Sequence, residues 1–264
     1  MRTFPHSAWA WLPPSVAVLL FAVIAMSGTN QDLFLVLNRG GHAFGHAPWA
    51  NLTVLGDGAV ALALILPCIK RLPERFWAAL IAAVVATAYV QLVKHAIPVP
   101  RPLAVYGPDT FFHSGPPHRS GAFPSGHAAA IFALAGIWIM ALRGRSLLRL
   151  ALLVLATLVS LSRVMVGVHW PLDLLAGMLG GWFAAWCGLG LSGRFGWKTS
   201  GMWGLATGLV LLVIAGALLF SPHIGFPEVM PTQRAVGVVC LVWGGRELLQ
   251  TPFQFPLRRR AREE

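Results

Sequence analysis

The sequence predicts an all-α integral membrane protein, and three observations carry that prediction. Hydrophobic residues make up 56% of the 264 and charged residues only 11%, against about 25% charged in a soluble globular chain. Mean hydropathy is +0.69, so there is too little charge to coat a water-exposed surface of this size. Apolar runs long enough to cross a hydrocarbon core, about 20 residues each, recur along the chain. The same composition excludes disorder. Three cysteines, Cys68, Cys187 and Cys240, all embedded in apolar sequence, exclude a disulfide scaffold.

The spans follow in order. Ala8–Ser27, Asn51–Ile69, Phe76–Val93 and His127–Leu142 come first, then Leu147–Leu161, Leu172–Leu191 and Met202–Phe220. An eighth, Ala235–Leu249, is short and holds Arg246 and Glu247. It reads as a span, a re-entrant segment or an interfacial helix, which gives seven or eight spans, with eight preferred. The first segment is taken as an uncleaved span, although Ala25 and Ser27 are small residues near its end, as at a signal-peptide cleavage site.

Orientation follows from the lysines and arginines of the short connections. With a cytoplasmic N-terminus and eight spans, the inner side holds Arg2; Lys70, Arg71 and Arg75; Arg143, Arg145 and Arg149; Arg194 and Lys198; and Arg258, Arg259, Arg260 and Arg262. The outer side holds Arg39, Lys94, Arg101, Arg119, Arg163 and Arg234. The bias sets the topology, and the +11 net charge is no footprint of nucleic-acid binding. The basic tail Arg258–Arg262 is first a topology determinant and only secondarily an anionic-lipid contact. One outer loop, from Lys94 to Ser125, is long and rich in Pro, Gly and His. Long loops without their own element are often functional.

Three polar clusters break the apolar pattern, and all map to the outer side. They are Lys94 through Arg101-Pro102, then Pro124-Ser125-Gly126-His127, then Ser162-Arg163 with His169 and Asp173. Lys94, Arg101 and Arg163 are cations suited to phosphate, the guanidiniums as bidentate forks and the ammonium as a point charge. Ser125 is a natural N-cap, and the free N–H groups after it, with Gly126 allowing close approach, form an anion site. His169 and Asp173 share one helical face if the helix starts near Pro171. A carboxylate on one imidazole nitrogen fixes the tautomer and frees the other for attack. His127 can then protonate a leaving oxygen. Together these describe phosphoryl transfer through a phosphohistidine, with no residue set that suggests a metal or other cofactor.

These residues resemble the three-part signature of the type 2 phosphatidic acid phosphatase superfamily: Lys-x6-Arg-Pro, Pro-Ser-Gly-His and Ser-Arg-x5-His-x3-Asp. Every position is present, in order and at the required spacing. The resemblance implies that His169 is the nucleophile, Asp173 its orienting group and His127 the acid. It implies that Lys94, Arg101, Ser125, Gly126 and Arg163 bind phosphate. It also implies a six-helix phosphatase-type transmembrane bundle over residues 1–191, with a catalytic core at about 50–191. Residues 192–264 add one or two C-terminal membrane segments beyond that form. The expected activity is metal-independent hydrolysis of lipid phosphate or pyrophosphate esters, undecaprenyl pyrophosphate or phosphatidate-type lipids, at the outer face of a bacterial inner membrane. Phosphoryl transfer to a lipid acceptor, and non-catalytic binding or transport of lipid phosphates, are the alternatives.

Other polar residues have plainer readings. His95, His113 and His118 match no pattern and are expected as solvated loop residues. Asp57, between Gly56 and Gly58, reads either as a helix N-cap or as a support bonded to a cradle cation. Trp49, Phe111, Phe112 and Trp170 read as an interfacial aromatic belt, or as guides at a lipid entrance.

Overall fold

The computed structural model describes residues 7–107, 109–221, 225 and 227–253. Arg2 and the Arg258–Arg262 tail lie outside the described residues. In chain order the helices are α1 (Ala8–Ser27), α2 (Asn30–His42), α3 (Ala47–Val54), α4 (Gly58–Ala63), α5 (Pro73–Ala96) and α6 (Pro102–Val105). They continue with α7 (Gly126–Ala141), α8 (Ser146–Met165), α9 (Pro171–Phe195), α10 (Met202–Ala217), α11 (Met230–Val239) and α12 (Gly245–Leu249). The protein is an all-α, multi-pass membrane protein.

Four helices, α1, α5, α8 and α9, are long and apolar enough to cross a membrane. α3 and α4 with the turn to Cys68 make a fifth span when taken together, bent by 49°. The second expected span is therefore broken. The break falls at Leu55–Asp57, where Asp57 leaves the helical conformation and caps α4 with its own side chain. The apolar helices α7 and α10 have 16 residues each. At about 1.5 Å per residue this is roughly 24 Å, short of a hydrocarbon core. The eighth expected segment lies inside a helical run, Met230–Leu249, that passes through a π-turn at Cys240–Gly244. The two charges that made it doubtful sit at its end, where buried Glu247 meets Arg71 at 2.9 Å.

α2 was not foreseen. It is too polar for a span but amphipathic, burying Phe34, Asn38 and Gly41 on one face. Asn38 ties it down. Its amide donates to the Phe112, Val164 and Met165 carbonyls at 2.9, 3.0 and 3.2 Å, and its oxygen accepts from Phe112 N–H at 2.8 Å.

α9 is the axis of the bundle, packed against α5, α7 and α1. Its approach to α7 depends on Gly177 and Gly181. A Cβ there would lie 2.4 Å from the Ser125 carbonyl oxygen and 2.3 Å from that of Ala129. Small residues let membrane helices touch backbone to backbone, and this contact draws the starts of α7 and α9 together. The C-terminal segments pack on the broken span. Ala215, Leu218 and Cys240 share a buried cluster with Val54, Val60 and Ala63.

Candidate active site

The chain direction alone brings the three sequence clusters to one end. α5 and α8 finish there, and α7 and α9 begin there. Between α8 and α9 the chain makes a tight turn. Gly167 adopts φ 78°, a left-handed conformation that L side chains avoid, and a Cβ on it would lie 2.4 Å from the Phe112 carbonyl oxygen. This turn presents His169. One turn into α9, Asp173 closes back: its Oδ2 accepts from Trp170 N–H at 2.8 Å and lies 3.1 Å from His169 Nδ1. Both side chains are buried. A carboxylate on Nδ1 leaves Nε2 as the imidazole's free nitrogen.

Burial chiefly, and then the charges of Arg101, Arg163, Lys94 and His127, hold the His169 pKa well below the ordinary imidazole value of 6.5. The ring is therefore neutral at physiological pH, the form that can attack.

Around it lies a cavity of about 480 Å³, lined by His169, His127, Lys94, Arg101, Arg163, Gly126, Asp57, Gln91 and His118, among others. Lys94 donates to the Gly121 carbonyl. Arg101 donates to the Ser120 and Val168 carbonyls at 3.0 and 3.4 Å. Arg163 donates to the Thr53 hydroxyl at 2.8 Å. Among the described residues none of the three forms an ion pair with a carboxylate. His127 Nε2 is buried and has no hydrogen-bond partner among them.

Of the expected site residues, Ser125 and Asp173 stand behind the cavity wall instead of in it. Ser125 is buried, caps α7 through Ala128 N–H, and donates its own N–H to the Asp173 carbonyl at 2.9 Å. It thus joins the two helix starts. Asp57 realises the capping reading, accepting from Ala59 and Val60 N–H at 2.9 and 3.2 Å, while also lining the cavity.

His118 is exposed, as expected of a solvated loop residue, and it also forms part of the cavity wall. Its pKa is lowered by burial and then by Arg101, Arg163 and Lys94. His113 is half-buried and its ring packs edge-on to Phe111 at 6.2 Å. Phe111 and Trp170 are neither belt nor entrance. They are buried with Phe34 in a cluster that Tyr106 also joins, and Trp170 donates its indole N–H to the Pro100 carbonyl at 2.8 Å. Trp49 likewise donates to the Gly41 carbonyl at 2.8 Å, and Phe112 stacks on His42 at 4.6 Å. The long loop needed a core of its own, and these aromatics supply it.

Thr53 and Gln91 were missed. Neither lies in a motif, and Thr53 is 110 residues from the arginine it bonds.

A second cavity, about 290 Å³, adjoins the first between α4, α5 and α7. The two share Val90, Gln91, Gly126 and His127 as walls. Its other walls are mostly apolar, with Leu62, Ile65 and Leu134 beside small residues such as Ala79, Ala83 and Ala133.

The family model described as the PAP2 superfamily matches residues 75–197. An undecaprenyl-diphosphatase of Sulfolobus acidocaldarius is 30% identical over 160 residues, 60% of this chain and 76% of that protein. The chain belongs to the PAP2 superfamily. Phosphatidylglycerophosphatase B of Escherichia coli K12 is 46% identical over 63 residues, 23% of this chain and 25% of that protein. The crystal structure of Aquifex aeolicus LpxE superposes with a TM-score of 0.55 at 25% identity, covering 61% of this chain and 94% of that one. As a PAP2 member the protein is a phosphatase. The family match begins at the start of α5 and ends just past α9, so it spans the helices that carry His127, His169 and the three cations.

Proposed function

We propose that this PAP2 phosphatase hydrolyses phosphate or pyrophosphate esters of membrane lipids through a phosphohistidine, at the outer face of a bacterial inner membrane. One observation carries the reading: a carboxylate-held histidine sits in a cavity with three cations that form no ion pair among the described residues, and that cavity adjoins a mostly apolar one across shared walls. An anionic head and a hydrocarbon chain on one molecule match the two compartments.

His169 Nε2 attacks phosphorus, and the ester P–O bond breaks on the far side. Asp173 holds the Nδ1 proton and stabilises the positive charge the ring acquires. His127 passes a proton to the leaving oxygen. Water, giving a proton back to His127, then attacks phosphorus; the P–N bond breaks, His169 leaves as the neutral imidazole and phosphate is released. Lys94, Arg101, Arg163 and the N–H groups opening α7 take the charge on the equatorial oxygens. Positive side chains thus supply the neutralisation that a metal ion supplies elsewhere.

Undecaprenyl diphosphate is the first substrate to test, with phosphatidate-type lipids as further candidates, since relatives are named for a prenyl and a glycerolipid phosphatase. The cytoplasmic N-terminus and outward-facing site follow from the basic residues gathered at the opposite end. Purified protein in detergent is to be assayed for phosphate release over a lipid panel with EDTA present. Undiminished release that ranks undecaprenyl diphosphate first is expected. Activity lost with EDTA and restored by a divalent ion would overturn the metal-independent mechanism, and no release from any lipid would overturn the substrate class.

A further inference from the structure

We propose that Thr53 is a positioning residue for phosphate binding: it fixes the plane of the Arg163 guanidinium so that the fork faces the cavity. This rests on the phosphatase reading above and adds to it a residue outside the three motifs and outside the matched segment 75–197.

Arg163 ends α8 and its side chain is almost wholly buried, with 7% of the residue exposed. A buried guanidinium needs its N–H groups met. Among the described residues the side-chain hydrogen-bond partner of Arg163 is the Thr53 hydroxyl, which accepts from Nη1 at 2.8 Å. Its Nε is buried without a hydrogen bond among the described residues. Among the described residues no carboxylate forms a direct ion pair with it. Since a guanidinium is planar and rigid, one bond to Nη1 together with the packing of the stem sets the direction of the remaining edge. Bidentate phosphate recognition depends on that direction.

Thr53 is itself immobilised. It is fully buried in the last turn of α3, just before the break at Leu55–Asp57. α3 packs along α8, and it is anchored from the far side by a hydrogen bond from the Thr232 hydroxyl to Asn51. The C-terminal segment therefore holds α3, α3 holds Thr53, and Thr53 holds the arginine.

The test uses the full chain in detergent and four variants, T53V, T53S, R163A and T53V/R163A. Valine keeps the shape of threonine and removes the acceptor. KM for the lipid phosphate and Ki for inorganic phosphate are expected to rise together by about tenfold in T53V, with kcat within about twofold, the pattern of a grip shared by ground and transition states. T53S should restore both constants, and T53V should add nothing in the R163A background, because the two act as one unit. If R163A raises Ki and T53V does not, the positioning role is wrong and the phosphatase reading stands. Additive effects in the double variant, or a lower melting temperature in T53V with unchanged Ki, also reject it. If R163A itself leaves Ki and KM unchanged, the assignment of Arg163 to the cradle fails, and this inference fails with it.

Discussion

The two ends of the bundle hold the same kinds of cation and treat them in opposite ways. At the end away from the cavity, Arg71 meets the carboxylate of Glu247 at 2.9 Å. There Arg75 lies over the ring of Trp138 at 4.9 Å, Arg149 over Trp9 at 5.7 Å and Arg194 over Phe195 at 5.9 Å. These four are neutralised or laid on aromatic faces, while Lys70 donates to the Gln250 side-chain oxygen at 3.0 Å. At the cavity end, Lys94, Arg101 and Arg163 bond to carbonyl and hydroxyl oxygens. The nearby carboxylates are committed elsewhere, Asp173 to His169 and Asp57 to the cap of α4. Three converging cations against two nearby carboxylates, neither in direct contact with them, leave a net positive charge that raises the energy of the empty site. A fold tolerates such an arrangement where an anion is to be bound, and this difference distinguishes working charge from anchoring charge.

The largest effect should come from removing what the cations surround. His169→Ala is expected to lower phosphate release by at least about a thousandfold, and Asp173→Asn by about a hundredfold or more, since the amide no longer fixes the tautomer. Both variants should still bind inorganic phosphate, because the cradle is untouched. Release measured in single turnover, with phosphate binding followed separately, checks this. A His169→Ala protein that turns over within tenfold of the unmutated one would mean that the cavity binds phosphate without doing the chemistry proposed.

The contrast between the ends also explains how much of the molecule was legible in the sequence. The convergence of the candidate site residues was legible because each of the three parts is local. Lys94 to Arg101, Ser125 to His127, and Arg163 to Asp173 lie on short stretches whose spacing is set by a helix start or a tight turn. The four long spans α1, α5, α8 and α9 were legible because apolar length is a property of the chain alone. What was lost depends on approach between distant segments. Thr53 is an ordinary threonine in an apolar run until α3 meets α8. His118 becomes a wall residue only when its loop folds over the cavity, and that loop folds because Phe34, Phe111 and Trp170 pack together. α2 escaped notice because its polar face leaves no long continuous apolar run to mark it. The break in the second span disappears in a long window average, although Gly56-Asp57-Gly58 carried its signal.

An effect of intermediate size concerns pH. The cations beside His169, added to its burial, keep its folded pKa well below 6.5. The nucleophile is lost only on protonation, so the acid limb of kcat/KM, corrected for substrate ionisation, should lie below pH 6.5. Stability carries the same sign. Above pH 6.5 the ring is neutral folded or unfolded and contributes no pH dependence. As pH falls through 6.5 the unfolded ring gains a proton that the folded one refuses, so stability declines. An acid limb with its midpoint at or above 6.5 would show that the cavity cations do not act on His169, and would erase the distinction between the two ends.

The smallest effect should come from the opposite end. Glu247 is buried, with 1% of its side chain exposed, and its Oε2 has no hydrogen-bond partner among the described residues. Arg71, its partner, is 68% exposed, so solvent screens the pair and limits its contribution. Arg71→Ala should cost about 1 kcal/mol of stability, the buried carboxylate then being left to water or to protonation. The detergent melting temperature should fall by a few degrees while KM and the Ki for phosphate stay within about twofold. Loss of anchoring charge would then be felt as stability and loss of cavity charge as affinity. A rise in Ki comparable to that of Arg163→Ala would show instead that the two ends are coupled through the C-terminal helices, which touch Arg71 through Glu247 at one end and Asn51 through Thr232 at the other.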